Sequence, residues 1–329
     1  MKKYHFAFGV DANFVKYAGI VMTSIVLNNL GKSFCFHMVL DSINEEDTQK
    51  LKQFEMLYRN VKIITYDAKV ELDKIKRVSD QYAPKRLNQT VFLRLLMPML
   101  MADDIDRVIY CDADMLCIGD VESLWNMDLQ GHPVGAVPEG DYKRKAKSIN
   151  LKSGKYLNAG FMIIDLKLWR ERNLSPVIIK CYQEQGSKFS MLEQDAINKI
   201  LDGDWLNIGW ENISLMNSFN YYDIGIKESN IFWHFLNMGK PWINYADKKI
   251  SSVYWSYVRR SLWHDMKPTE PTDVAIALLA GKNAQRQGDY KTASRYFGFT
   301  AEKLMEFYLE KTGRLSENYL KKYGKADDK

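Results

Sequence analysis

The feature that most limits what this 329-residue chain can become is a hydrophobic period that switches repeatedly within its first 66 residues. Residues 4–10, 33–40 and 61–66 are short, apolar and rich in aromatic and β-branched side chains, as strands are. Between them, residues 17–29 and 45–58 have helical spacing, and Leu51, Phe54 and Leu57 are expected on one side of the second helix. Strands separated by helix-length segments cannot be joined by hairpins. They pair side by side in parallel, with the helices packed over the sheet. The order predicts an α/β fold with a mainly parallel sheet.

Further along, residues 89–101 form an apolar helical run and residues 107–110 a short strand, which leads directly into Cys111-Asp112-Ala113-Asp114. The C-terminal ends of strands in open α/β sheets are where ligands bind. Residues 141–155 carry six Lys or Arg against one Asp and read as a basic surface loop. Strands are expected at 160–165 and 231–235, the latter delivering His234, and helices at 166–172 and 193–201. Beyond residue 249 the texture changes. Residues 254–263 mix aromatic and basic groups, and residues 266–272 hold two prolines as a linker. Residues 274–311 read as two or three helices broken at Gly288-Asp289, and the tail from Lys321 as basic, polar and frayed. The chain thus divides into a domain of residues 1–250 and a helical module of residues 251–329.

With 46% hydrophobic and 26% charged residues, the chain is globular rather than disordered. A net charge of +5 is mild: it does not call for nucleic acid, and it allows an anionic substrate or an anionic membrane face. Cys35, Cys111, Cys117 and Cys181 form no C-x-x-C pair, which fits reduced, buried thiols in the cytoplasm. No secretory leader pattern and no apolar stretch of the ~20 residues that span a bilayer is present.

Chemistry-bearing residues cluster at predicted strand ends and helix starts. Asp112 and Asp114, one residue apart after a strand, can face a single hard cation such as Mg²⁺ or Mn²⁺, or form a solvated acidic turn. His234 in its apolar run is a hydrogen-bonded core residue or a metal ligand. Lys240, six residues on, suits a metal–diphosphate site, in which the lysine neutralises charge that the ion leaves. Asp11 and Asn13 end the first strand as turn residues or as nucleotide contacts. Glu193, Gln194 and Asp195 open a helix, where acidic groups serve the dipole or a sugar hydroxyl. Asn158-Ala159-Gly160 offers small residues for a turn or for close approach to a ligand.

Six blocks in order carry a resemblance: Phe8-Gly9-Val10-Asp11-Ala12-Asn13, Phe92-Leu93-Arg94-Leu95, Val108 to Asp114, Leu157-Asn158-Ala159-Gly160, Glu193-Gln194-Asp195, and His234 to Trp242. Over residues 4–245 the chain resembles glycosyltransferase family 8, retaining nucleotide-sugar transferases of GT-A type with a Rossmann-like sheet. Within it, the chain looks most like the bacterial lipopolysaccharide core glucosyl- and galactosyltransferases. The resemblance implies that Asp112, Asp114 and His234 ligate a divalent metal, Mn²⁺ or Mg²⁺. It implies a uridine pocket at Gly9, Asp11 and Asn13, and Lys240 on the diphosphate of a UDP-glucose or UDP-galactose donor. Arg94, Asp112 and Asn158 would touch the donor sugar, Gln194 would lie beside the anomeric carbon, and Glu193 near donor and acceptor, with Asp195 beside them. Two positions depart from the pattern. Glu193 stands where the family often has Asp, and Asn237 stands where it often has Gly at a phosphate-contacting loop; Asn tolerates left-handed backbone better than most residues. The implied acceptor is the lipopolysaccharide core at the cytoplasmic face of the inner membrane. The run Lys143-Arg144-Lys145-Ala146-Lys147 and the segment Tyr254, Trp255, Tyr257, Arg259, Arg260 and Trp263 are candidates to meet acceptor phosphates or lipid headgroups; the segment reads equally as a solvated helical face whose aromatics are buried against the catalytic domain. Other readings are the same chemistry on a capsule or glycoprotein sugar, and a catalytically silent sugar- or lipid-binding module.

Overall fold

A computed structural model describes residues 2–79, 89–219 and 229–312; the tail from Lys321 lies outside the described residues. The chain forms two compact units and alternates between them rather than dividing at one point near residue 250. Residues 1–216, 224–235 and 256–266 make the first unit, and residues 217–223, 236–255 and 267–329 the second.

The first unit begins as the period switching requires: β1 (Lys3–Val10), α1 (Val15–Leu27), β2 (Ser33–Leu40), α2 (Glu45–Leu57), β3 (Val61–Asp67) and α3 (Lys69–Ser79). A 3₁₀ turn (Gln89–Phe92) enters α4 (Leu93–Leu100), followed by β4 (Arg107–Cys111), β5 (Met115–Cys117), α5 (Glu122–Trp125), β6 (Val134–Ala136) and α6 (Tyr142–Ser148). Then come β7 (Phe161–Asp165), α7 (Leu166–Glu171), α8 (Leu174–Gln185), α9 (Glu193–Leu201), β8 (Leu206–Asn207), β9 (Ile213–Met216) and β10 (Phe232–Phe235). Among the described residues a seven-stranded sheet has the order β3-β2-β1-β4-β7-β6-β8. Its pairs are parallel except that β7 runs antiparallel to both β4 and β6. A small second sheet, β5-β10-β9, pairs β10 antiparallel to β5 and parallel to β9.

Two sequence expectations need correction. Leu57 is 59% exposed, because the inward face of α2 is set by Asp47, Leu51 and Phe54, and Leu57 falls outside that arc. The basic stretch expected as a loop instead forms α6 over Tyr142–Ser148.

Of the two readings of the aromatic segment near residue 260, burial favours the packed one for its largest rings, since Tyr254, Tyr257 and Trp263 are all buried. The Trp263 indole lies where a Cβ on Gly19 of α1 would come within 2.1 Å of it, so only glycine leaves room for the ring there. Its Nε1–H donates to Asp47 Oδ1 at 2.7 Å, which satisfies the one polar atom of a buried indole. Asn28 Nδ2 donates to the Tyr257 hydroxyl at 2.8 Å, a second tie from the same segment to α1.

In the second unit, α10 (Lys248–Val258) is shared with the first, and α11 (Val274–Arg286) and α12 (Tyr290–Thr312) pair across a turn at Gly288, whose φ is +81°. Phe219, Ala246, Ile276, Ala280 and Tyr296 form its core. Leu304, Met305, Phe307 and Tyr308 are exposed on α12.

On one face of the large sheet, His5 of β1 and Cys35 and His37 of β2 lie together. His5 Nδ1 and His37 Nε2 are 2.9 Å apart, and His37 Nδ1 is 2.9 Å from the Tyr66 hydroxyl on β3. Burial, then the neighbouring His5 and Lys3, lower the pKa of His37 from 6.5 to about 3.

Two stability predictions follow from this packing. Trp263→Ala empties an aromatic seat and is expected to cost about 3–5 kcal/mol in chemical denaturation. An unchanged midpoint would show that the seat is not part of the cooperative core. His37 binds a proton in the unfolded chain at pH values where the folded protein does not. Stability is therefore lost as pH falls from 6.5 toward 3, by at most about 4–5 kcal/mol. A His37→Gln variant should show a flatter stability profile over that range.

Candidate active site

The site begins where β4 ends. Asp112 N–H donates to Gly160 O at 2.8 Å, which ties the end of β4 to the start of β7. The chain then turns through Ala113 and Asp114 into β5, whose Met115 faces His234 in the β5–β10 register. Phe235 N–H donates to Asp114 O at 2.9 Å and closes that ladder. Two short pairings thus bring together residues about 120 positions apart. Ligand atoms of Asp112, Asp114 and His234 lie within 4.8 Å of one another, and His234 Nε2 is 3.2 Å from Asp114 Oδ1. His234 Nδ1 is buried without a hydrogen-bond partner among the described residues, so the strand and Asp114 orient the ring.

Gly160 shows how tightly this group is built. A Cβ there would lie 2.2 Å from His234 Cε1 and 2.8 Å from Asp112 Oδ2. Two carboxylates and one imidazole around a gap that only glycine leaves open are a donor set suited to Mn²⁺ or Mg²⁺.

Arg94, in the first turn of α4, is buried beside this group. Its Nη2 donates to Asp112 Oδ1 at 3.0 Å, its Nε donates to Val91 O at 3.1 Å, and its Nη1 donates to Ala159 O. The same Nε is 3.3 Å from Glu193 Oε1, and the guanidinium lies 5.0 Å above the Tyr110 ring. Tyr110 in turn donates its hydroxyl to Asp112 Oδ1 at 2.9 Å. Burial raises the Asp112 pKa and Arg94 partly offsets it. Burial likewise raises that of Glu193, to about 7, against the pull of Arg94. Arg94 is shared between Asp112 and Glu193 and leaves Asp114 beside His234, so a divalent cation in the gap would favour the ionised form of carboxylates that burial otherwise disfavours.

The α9 start sits behind. Leu192 precedes it with φ +48° and ψ −122°, a strained backbone for a residue with a side chain, which aims residues 193–195. Gln194 Oε1 accepts from Ala159 N–H at 3.0 Å and Nε2 donates to Glu139 Oε2 at 3.2 Å. Asn158 Nδ2 donates to the same Glu139 oxygen at 3.0 Å, while its Oδ1 accepts from Gly160 N–H at 3.0 Å. Asp195 Oδ2 accepts from the backbone N–H groups of Ser190 and Met191 at 2.7 and 2.9 Å, and Oδ1 accepts from the Tyr156 hydroxyl. Both Asp195 oxygens are thereby engaged in holding the loop before α9.

Glu139, Tyr110 and Tyr156 escaped sequence reasoning. Glu139 follows a short strand in a Pro-Glu-Gly turn and shows no pattern, yet it is 7% exposed and is the acceptor shared by Asn158 and Gln194. Burial pushes its carboxyl up, but Lys145 at 3.3 Å and the hydrogen bonds outweigh it, and its pKa lies below the usual value. Lys145, read from sequence as part of a free basic surface, is therefore tied to this network.

A cleft of about 140 Å³ opens at the C-terminal ends of β1 and β4, lined by Gly9, Val10, Phe14, Arg94, Asp112 and Asp114 among others. Gly9 lines it and also lets α4 approach, since a Cβ would meet Leu93 Cβ at 2.7 Å. Asp11 and Asn13 sit in the following turn, where Asn13 N–H donates to Asp11 Oδ1 at 2.9 Å. Asn237 and Lys240 belong to the second unit. Asn237 takes the left-handed conformation, φ +56°, that glycine would adopt easily, and Lys240 N–H donates to Met238 O at 3.0 Å.

Residues 5–246 match the family model for glycosyl transferase family 8. The chain belongs to glycosyltransferase family 8. Among curated relatives of this family 8 chain, a lipopolysaccharide 1,3-galactosyltransferase of Salmonella typhimurium is 26% identical over 322 residues, covering 92% of each chain. A lipopolysaccharide 1,2-glucosyltransferase of Escherichia coli is 26% identical over 281 residues, covering 82% of this chain and 81% of that one. Among solved structures, the galactosyltransferase LgtC with donor and acceptor sugar analogues superposes with a TM-score of 0.66. It is 18% identical and covers 79% of this chain and 96% of that one, which establishes the GT-A fold.

The close approach at Gly160 yields a direct prediction. Gly160→Ala should displace His234 and Asp112 and weaken Mn²⁺ binding, measured by calorimetry, by at least ~10-fold while circular dichroism stays unchanged. Unaltered Mn²⁺ affinity would remove these two side chains from a common ion.

Proposed function

We propose that this chain transfers glucose or galactose from a UDP-sugar to a hydroxyl of the lipopolysaccharide core, with a divalent metal and with retention of the α configuration. The observation that carries this reading is the Asp112–Asp114–His234 group, whose two aspartates line the cleft at the ends of β1 and β4. The names and coverage of the Salmonella and Escherichia relatives support the acceptor class.

In this reading Asp112, Asp114 and His234 hold the ion and Gly9, Asp11 and Asn13 receive the uridine, while the family resemblance alone assigns Lys240 and Asn237 to the diphosphate. When bound, the ion neutralises charge that develops on the diphosphate as its bond to the anomeric carbon breaks. Arg94 orients Asp112 and partly offsets the burial that raises its pKa, and with Asn158 it meets the donor sugar. Gln194 lies beside the anomeric carbon. Its amide is held at both ends by Ala159 and Glu139, which makes it a fixed dipole rather than a nucleophile. Glu193 is paired with Arg94, and both oxygens of Asp195 are engaged. That arrangement favours front-face attack, in which the acceptor hydroxyl adds from the side of the departing UDP and gives its proton to the leaving phosphate oxygen. Glu193 then contacts sugar hydroxyls near donor and acceptor.

No described helix is long and apolar enough to cross a membrane. The exposed Leu304, Met305, Phe307 and Tyr308 on α12 support contact of the second unit with the apolar boundary of a membrane; Glu302, Glu306 and Glu310 outnumber Lys303 and Lys311 there, so that contact rests on the apolar side chains rather than on charge.

The test is UDP release from UDP-glucose and UDP-galactose with Mn²⁺, with Mg²⁺ and with chelator, followed by lipopolysaccharide core as acceptor. Metal-dependent turnover of one donor is expected, and Asp112→Asn or Asp114→Asn should reduce it by at least ~10²–10³. Normal turnover by either variant would refute the metal assignment. Transfer to another glycan but not to the core would redirect the acceptor assignment alone.

A further inference from the structure

A second cluster with metal-ligating chemistry lies away from the cleft. Phe6 of β1 pairs with Ile109 of β4, so His5 is level with Val108, four residues or ~13 Å along the strand before Asp112. In the β1–β2 register His5 faces Cys35 and Ala7 faces His37. The small Ala7 leaves the His37 ring room beside that of His5, and the rings stack with centroids 5.2 Å apart. His5 Nδ1 or Nε2, Cys35 Sγ and a His37 nitrogen lie within 4.8 Å of one another.

We propose that His5, Cys35 and His37 form a second metal site, selective for a borderline transition ion of the Zn²⁺ class and distinct from the carboxylate-rich site at Asp112. The donor set decides the class. Two imidazoles and a thiolate suit Zn²⁺, whereas two carboxylates and one imidazole suit Mn²⁺ or Mg²⁺. The geometry is near what the ion requires. Nitrogens bound tetrahedrally at ~2.0–2.1 Å stand ~3.3 Å apart, so the 2.9 Å His5–His37 separation needs to open by only a few tenths of an ångström. Tyr66 at His37 Nδ1 is the outer partner that fixes a ligating imidazole through its other nitrogen. Cys35 and His37 are buried while His5 is partly exposed, which leaves an entry edge at His5.

The protons balance without an outside reagent. Burial lowers the pKa of both histidines, so both rings are neutral at neutral pH. One hydrogen now lies between His5 Nδ1 and His37 Nε2. On binding, the ring that carries it shifts tautomer and moves it to its outer nitrogen, which for His37 means donating from Nδ1 to the Tyr66 oxygen. Cys35, whose pKa burial raises, releases its thiol proton to solvent. Binding therefore liberates one proton per ion and strengthens as pH rises.

Co²⁺ serves as the optical probe on the full-length protein. The expected result is a near-ultraviolet thiolate-to-cobalt band that saturates at one equivalent, is bleached by Zn²⁺ and resists Mg²⁺. Cys35→Ser should abolish it, His5→Gln should weaken binding by at least ~10-fold, and Asp112→Asn should leave it in place. Absence of the band, or its survival in Cys35→Ser, would overturn the proposal, the latter by pointing to another cysteine. If Cys35→Ser fails to fold, the His5→Gln variant on the partly exposed position and a Zn²⁺-dependent rise in the melting temperature of the wild type decide. An unshifted melting temperature together with unchanged affinity in His5→Gln refutes the site.

Discussion

A single buried cation organises the catalytic end of this protein. Arg94 reaches the carboxylate of Asp112, the carboxylate of Glu193 and the carbonyls of Val91 and Ala159, so one guanidinium joins the end of β4, the start of α9 and the approach to β7. Removing one partner of a buried ion pair commonly costs ~3–5 kcal/mol, because the charge left behind has lost its solvation and its partner. Here the loss would be compounded, since Asp112 and Glu193 would repel across the gap that Arg94 fills. A divalent cation in the neighbouring gap would favour the ionised form of carboxylates that burial otherwise disfavours.

Close backbone approach is the second constraint. At Gly160 the missing side chain is replaced by His234 and Asp112, and at Gly19 by the indole of Trp263. One glycine admits the site and the other admits the segment that seals α1. Neither has a positive φ, so the need for glycine there is one of space rather than of backbone conformation.

The two histidine-containing clusters show how one sheet can separate two kinds of chemistry. At the C-terminal strand ends, loops free of ladder geometry gather carboxylates that suit hard ions. Within the β1–β2 ladder, strict alternation and register place His5, Cys35 and His37 on one face, where burial keeps the imidazoles neutral. A strand interior cannot rearrange as a loop can, so a site built there depends on register alone.

The β-α-β-α-β opening, the position of Asp112 and Asp114 behind a strand, and the helix at Glu193 were all legible in the sequence, because each follows from local periodicity or from residue order at an element's end. The left-handed backbone at Asn237 was legible only through the family resemblance, which expects Gly there, and not from any local pattern. The tertiary structure alone decided the rest. Glu139 and Tyr156 have no local signature and acquire meaning only when β6, the segment before β7 and α9 converge. Lys145 looked like free surface charge until the fold set it 3.3 Å from Glu139. Trp263 allowed an interfacial or a buried reading until Gly19 and Asp47 enclosed it. Local pattern specifies which face of an element is apolar and where it stops. Which distant side chain fills a given gap depends on packing between elements, and no single segment of the chain encodes that.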